Sequence, residues 1–197
     1  MDIENWKKDG VIQVNCLKEK DNVQDWADKT INIYKGCSND CRYCYARAEA
    51  IRFNRVKKEE WATEILNQEK IKKGWMFSKK NIMFPSTHDI TPGTFDACAT
   101  VLKKILEAGN TILIVSKPRA DLIEQLCDIL GDHKEQILFR FTISAKNDEL
   151  LSFWEPNAPS YNDRRNALKI ALEKGFQTSI SIEPMLDAAN VSELIED

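Results

Sequence analysis

From residue 81 onward, short apolar, β-branched runs alternate with longer stretches of helical period, and this alternation restricts the chain to very few folds. Strand-like segments are predicted at 81–84, 111–115, 137–143 and 178–182. Helical patterns are predicted at 94–108, 119–131 and 161–174, with a last one starting near Val191. Gly109 and Gly175 stand where helices should end, and Thr94 and Asp163 are candidate N-caps. Apolar runs joined by helical crossovers indicate a parallel sheet buried on both faces. Taking 30–36 as the first strand and 43–56 as its helix gives five successive βα units. The expected fold is α/β: a partial (βα)6-type TIM barrel, an open parallel sheet with outer helices. The fifth helix begins just where the sequence stops, so the pattern reads as a truncated or short form that lacks a sixth strand.

Three further expectations concern the rest of the chain. Residues 1–29, with Trp6 and Trp26, read as an N-terminal extension packing across the sheet, and 30–197 as the barrel domain. Residues 56–80, rich in Lys, Glu and Trp, read as an inserted connection between helix one and strand two. The net charge of −3 excludes nucleic-acid binding by bulk charge. It leaves room for a local basic face, because residues 42–80 carry eleven Lys/Arg against five Asp/Glu. No run approaches the roughly 18 apolar residues of a membrane span. The polar start Met1-Asp2-Ile3-Glu4-Asn5 is not a signal peptide, so the expected compartment is the cytoplasm.

The chemistry concentrates in Cys37-x3-Cys41-x2-Cys44, placed between strand one and its helix. Three thiolates at this spacing can hold three irons of a [4Fe–4S] cube and leave one iron open. A structural zinc site would want a fourth Cys or His, and the two histidines, His88 and His133, have no pair. The other three cysteines, Cys16, Cys98 and Cys127, are scattered; the last two fall in helical patterns and read as core residues. In parallel βα sheets function collects at the C-terminal strand ends. The cysteine loop, Pro85–Asp89, Ser116–Arg119, Ser144–Asn147 and Glu183–Met185 all fall on that one rim.

The cysteine motif, with Tyr43 before its last Cys and βα units behind it, resembles the radical S-adenosylmethionine superfamily. Arg140–Ser144, Trp154-Glu155-Pro156, Arg164–Leu168 and Glu173–Phe176 are similar to the spore photoproduct lyase-like branch. The resemblance implies Cys37, Cys41 and Cys44 as ligands of a [4Fe–4S] cluster whose open iron binds S-adenosylmethionine. It implies reductive cleavage to a 5′-deoxyadenosyl radical that abstracts a substrate hydrogen, fed by an external donor of flavodoxin or ferredoxin type. It places Tyr43 near the adenine, Ser86 and Thr87 near the methionine amine, Lys117 at the carboxylate, and Thr142 and Ser144 at the ribose. Asp89 is read either as a charge in the site or as an Asx turn. Arg140 is expected to pair with Glu183, Arg165 with Glu155, and His88 to lie in a polar surface turn. The substrate stays open between a nucleic acid or nucleotide, a peptide or small metabolite, and a non-catalytic iron–sulfur or zinc module. For nucleic acid, Arg52, Arg55, Lys57, Lys58, Lys72, Lys73, Lys79 and Lys80 would track phosphates, with Trp61 and Trp75 stacking.

Overall fold

The computed structural model describes residues 26–197, so Trp6, Cys16 and most of the extension expected at 1–29 lie outside the described residues. Five parallel strands, β1 (Lys29–Thr30), β4 (Ile82–Phe84), β5 (Ile112–Ser116), β6 (Ile137–Thr142) and β7 (Gln177–Ser181), form an open sheet in sequence order. A small antiparallel pair, β2 (Tyr34–Lys35) with β3 (Ile65–Leu66), stands beside it.

Period-two alternation decides what each face of the sheet buries. On the outer face Ile82, Phe84, Ile112, Ile114, Phe139 and Phe141 are 2% exposed or less. They belong to one core with α3 (Phe95–Glu107), α4 (Ala120–Leu130) and α6 (Tyr161–Glu173). Cys98 and Cys127 lie in that core, as expected, and burial pushes both thiols up to about 12. Gly109 and Gly175 end α3 and α6 with φ near +82°. Each donates two residues' N–H groups back into the last turn, Gly109 N to Leu106 O and Asn110 N to Ile105 O, then Gly175 N to Leu172 O and Phe176 N to Ala171 O. This is the Schellman arrangement that glycine favours.

Several expected boundaries are corrected. Strand one does not run 30–36. After Ile31, whose N–H still bonds Met83 O at 2.9 Å, the chain leaves the parallel sheet. The Ile33 N–H goes to His88 Nε2 at 3.1 Å and its carbonyl accepts from Asn67 N at 2.8 Å, which turns Tyr34–Lys35 toward the inserted segment. Helix one is shorter than 43–56: α1 spans Tyr45–Arg52. A helix absent from the expectations, α5 (Asp148–Trp154), follows β6 and is capped by Asn147, which accepts from Glu149 N and Leu150 N. Thr94 occupies the α3 cap position, where its carbonyl accepts from Cys98 N at 3.0 Å but its side chain makes no cap bond, and α6 is capped by Ser160 rather than Asp163. The last helix, α7 (Val191–Glu196), starts where expected.

The insertion 56–80 contains β3, a single 3-10 turn at Lys58–Glu60 and α2 (Gln68–Lys72). Trp61 is buried and so is not free to stack on a base, whereas Trp75 is half-buried against the main core between Lys29 and Lys73. The segment braces the cysteine loop instead. Trp61 O accepts from Cys37 N at 2.9 Å, and Glu64 accepts from Ser38 N, Ser38 Oγ and Thr91 Oγ1 at 2.8–3.0 Å. This close approach requires Gly36, whose φ is +83° and whose missing Cβ would stand 2.1 Å from Thr63 O and 2.6 Å from Trp61 O. Both neighbours are backbone, so neither can yield cheaply. Gly36→Ala is therefore expected to cost more than about 2 kcal/mol, beyond the left-handed penalty alone. Urea unfolding checks this, and a loss under about 0.5 kcal/mol would show that the insertion is not tightly docked.

Candidate active site

The cysteine loop is held from several sides, mostly by bonds that do not engage its sulfurs. Asp40, in the left-handed region at φ 44°, accepts Arg47 Nη1 at 2.7 Å, and Arg47 Nη2 donates to Arg42 O at 3.0 Å. Arg42 N donates to Trp154 O at 2.8 Å, tying the loop to the end of α5. Cys44 is the N-cap of α1, its sulfur accepting from Arg47 N at 3.4 Å. Cys37 and Cys41 are buried, Cys44 is half-buried, and all three are free thiols.

All three thiols line one cavity of about 530 Å³, together with Tyr43, Ser86, Thr87, Lys117 and Thr142. Four of the five expected rim segments thus open on one space, and none of Ser144–Asn147 lines it. Ser144 is the exception among the sequence candidates. It is wholly buried outside the cavity lining, and its hydroxyl donates to Glu155 Oε1 at 2.9 Å. Ser86 is partly occupied as well. Its N–H, with that of Thr87, donates to Asn32 Oδ1 at 2.7 and 2.9 Å, its hydroxyl accepts from Asn32 Nδ2 at 2.9 Å, and its carbonyl accepts from Tyr45. The Thr87 hydroxyl has no such engagement among the described residues.

Asp89 does more than make a turn. Its carboxylate accepts from Asn39 Nδ2 at 2.9 Å, Lys117 N at 3.1 Å, Ile90 N at 2.9 Å and the Ser116 hydroxyl. It thereby joins the cysteine loop to the ends of β4 and β5. His88 is buried, not a surface turn residue: Nε2 accepts from Ile33 N, so Nδ1 carries the proton toward Asp89 O at 3.1 Å. Burial holds this ring below its usual value, and a neutral imidazole is what the bonding needs.

Glu155 is the second hub. It accepts from the Tyr43 hydroxyl, from Ser144 and from Arg164 Nη2. The ion pair expected with Arg165 is instead with Arg164, one position earlier. Arg164 points inward from α6 and also donates to Pro159 O at 2.9 Å and Thr142 O at 3.2 Å, whereas Arg165 reaches Asp197 at 2.6 Å on the surface. Arg140 does not pair with Glu183 either: its Nε donates to Ser179 Oγ at 3.1 Å, and Glu183 is exposed at the rim.

Around the cysteines, the electrostatics of the cavity are those of acids gathered about Lys117. Burial, with the Asp89 carboxylate nearby, raises the Cys37 thiol well above its usual value, although the Asn39 and Asp89 N–H groups pull it down. Burial lifts Cys41 to about 11 against the pull of Lys117. Burial pulls the Lys117 ammonium down, but Cys41, Tyr43, Asp89 and Glu155 around it prevail and raise it above its usual value. Its Nζ lies 5.7 Å above the Tyr43 ring. A bound metal centre deprotonates a coordinating thiol outright, reversing the effect of burial. The three thiols open on one roomy cavity, and among the described residues no three Cys, His, Asp or Glu converge closely enough to hold one ion.

Of these features Asn32, Asn39 and Arg164 were not anticipated as parts of the site, and Glu155 was anticipated only as a loop residue. Comparison with known proteins now adds to the geometry. The profile of the Radical SAM superfamily matches residues 31–196. The chain is 29% identical over 184 residues to the uncharacterized protein ORF301 of Acidianus two-tailed virus, covering 87% of this chain and 60% of that protein. It is 27% identical over 167 residues to the uncharacterized protein MJ0683 of Methanocaldococcus jannaschii, covering 81% and 61%. The chain thus spans about three fifths of the length of these curated relatives. Among solved structures, spore photoproduct lyase complexed with dinucleoside spore photoproduct superposes with a TM-score of 0.57 at 20% identity, over 87% of this chain and 49% of that one. No helix among the described residues is long and apolar enough to cross a membrane. The match over residues 31–196 makes this chain a member of the Radical SAM superfamily of enzymes, built on a fold shared with spore photoproduct lyase.

Proposed function

We propose that this chain is the catalytic domain of a radical S-adenosylmethionine enzyme, with Cys37, Cys41 and Cys44 as the ligands of a [4Fe–4S] cluster. The observation that carries the reading is that three free thiols and a half-buried lysine held in its charged form line one cavity at the C-terminal rim of a parallel sheet. When bound and reduced by a flavodoxin- or ferredoxin-type donor, the cluster supplies the electron that cleaves S-adenosylmethionine to a 5′-deoxyadenosyl radical.

The protein's own contribution is binding and orientation. Lys117 offers its ammonium to the methionine carboxylate, its position set by the backbone bonds from Lys117 N to Asp89. Tyr43 holds a flat ring against the cavity, fixed at its hydroxyl by Glu155, and packs near the adenine. Because Asn32 and Tyr45 occupy Ser86, the Thr87 hydroxyl is the better partner for the methionine amine. With Ser144 committed to Glu155, Thr142 is left to meet the ribose. The acids Asp89 and Glu155 keep Lys117 charged and so keep the carboxylate site formed before the cofactor arrives.

Anaerobic reconstitution with iron and sulfide, followed by S-adenosylmethionine and dithionite, tests the reading. Slow release of 5′-deoxyadenosine is expected, and its complete absence from protein with a full cluster would leave a non-catalytic module. Lys117→Ala is expected to weaken S-adenosylmethionine binding by about tenfold or more, the worth of one charge-assisted hydrogen bond. Unchanged affinity would remove Lys117 from the site.

A further inference from the structure

The inward face of the sheet is unusually polar for parallel strands, which when buried on both sides read as apolar runs. Across β6 and β7, Arg140 stands opposite Ser179 and Thr142 opposite Ser181, all four on that face. Arg140 is only 9% exposed and lines the cavity. Its guanidinium lies 3.7 Å from the centre of the Trp26 ring, and its Nε is spent on Ser179 Oγ, which also bonds Phe139 O at 3.3 Å. Stacking plus one hydrogen bond fixes the plane of the group. Among the described residues its two Nη atoms donate to nothing, and no carboxylate lies within 4 Å of them. The buried arginine of the same domain, Arg164, has by contrast a carboxylate and two carbonyls.

A desolvated cation costs several kcal/mol unless it is paired, so a fixed, unpaired fork in a ligand-sized cavity implies a partner that arrives with the ligand. We propose that Arg140 is a specificity residue that binds an oxyanion, carboxylate or phosphate, of the substrate as a bidentate pair. The proposal rests on the reading of this cavity as the reaction chamber. Position separates this oxyanion from the cofactor's own carboxylate. Lys117 is at the rim just past β5, whereas Arg140 lies two residues before the end of β6, about 6–7 Å deeper along the strand than Thr142. Two acids line the same cavity: the Asp89 carboxylate is taken up by Asn39, Ile90 N, Ser116 and Lys117 N, and Glu183, whose charge reaches the guanidinium from the exposed rim, makes no ion pair with it. Trp26, Met83 and Val115 wall the deep end with apolar surface, which strengthens a charge pair by excluding water.

The test is calorimetric titration of the reconstituted, unreduced protein with inorganic phosphate, with acetate, and separately with S-adenosylmethionine. Saturable binding of at least one small anion is expected, and the anion that binds names the source. Arg140→Gln should weaken it by about tenfold or more and Arg140→Lys by less, since lysine keeps the charge and loses the fork. S-adenosylmethionine affinity should change less than about twofold in both variants. Intact cluster absorbance and circular dichroism in Arg140→Lys exclude misfolding as the cause. Absence of saturable anion binding, or binding indifferent to Arg140→Gln, overturns the proposal. So does a tenfold loss of S-adenosylmethionine affinity, which would assign the guanidinium to the cofactor. Arg140-dependent anion binding in a protein that releases no 5′-deoxyadenosine would uphold the anion site while the radical reading fails.

Discussion

Cys41→Ala should abolish the brown colour of the reconstituted protein and its release of 5′-deoxyadenosine together. Among the described residues these three thiols are the ones that line the cavity, so on the proposed reading losing one leaves an iron without protein support and the cube incomplete. The fold should survive. Cys41 contributes to the loop through its carbonyl, which accepts from Cys44 N at 3.2 Å, and alanine keeps that bond. Circular dichroism and the urea midpoint should therefore stay close to the parent's while iron content and activity fall to background. Cys98→Ala is the matched control. It removes a sulfur buried in the apolar core, costs stability of about 1 kcal/mol, and leaves the cluster in place. A Cys41→Ala protein with full iron content would show that the ligands are not these three residues. A Cys98→Ala protein without iron would show the same.

The order of elements was legible because helices and parallel strands announce themselves by period over ten residues or more. α3, α4, α6, β5, β6 and β7 fall within one or two residues of their expected bounds. The failures share a cause: short segments whose course is set by distant partners. Residues 30–36 have the composition of one strand, but His88 and Asn67 draw Ile33 out of the sheet. α5 is a seven-residue helix whose start signal, Asn147 followed by Asp148 and Glu149, could have been read from the sequence. The site divides along the same line. Cys37, Cys41, Cys44, Tyr43, Thr87, Lys117 and Thr142 line the cavity because strand ends share a rim. The choice of Arg164 over its neighbour Arg165 depends on which side of α6 faces β6. One residue's shift turns a helix by about 100°, and the uncertain phase of the helix hid it.

That choice carries the second large effect. Arg164→Ala should destabilise the domain by about 3–5 kcal/mol, because it removes the guanidinium bonded to the Glu155 carboxylate, with both side chains fully buried, and leaves that carboxylate only the charge of Lys117 and two hydroxyls. Against a total stability of roughly 5–15 kcal/mol this is a large share, and at about 2–4 °C per kcal/mol the melting temperature should fall by roughly 10 °C. The pH dependence follows from the same pair. Burial pushes the Glu155 carboxyl up, but Lys117, Arg164 and the hydrogen bonds to it prevail and hold it below the usual 4.5. A carboxyl depressed in the native state contributes stability that is complete above its unfolded value. That contribution disappears as pH falls from about 4.5 through the native value. In Arg164→Ala the native value rises, so less stability remains at neutral pH and the acid-dependent loss begins at higher pH. Replacing both partners, Glu155→Gln with Arg164→Met, removes the stranded charge and should cost less than the two single changes summed. Urea unfolding of the parent, Arg164→Ala, Glu155→Gln, Arg164→Met and the double variant across pH 3 to 8 measures every term. Additive single effects, or an Arg164→Ala loss under about 1 kcal/mol, would mean the pair is not the fastening it is argued to be. Because Glu155 also holds the Tyr43 hydroxyl beside the cysteines, the surviving folded fraction of Arg164→Ala should bind S-adenosylmethionine more weakly, linking the buried pair to the chemistry of the cavity.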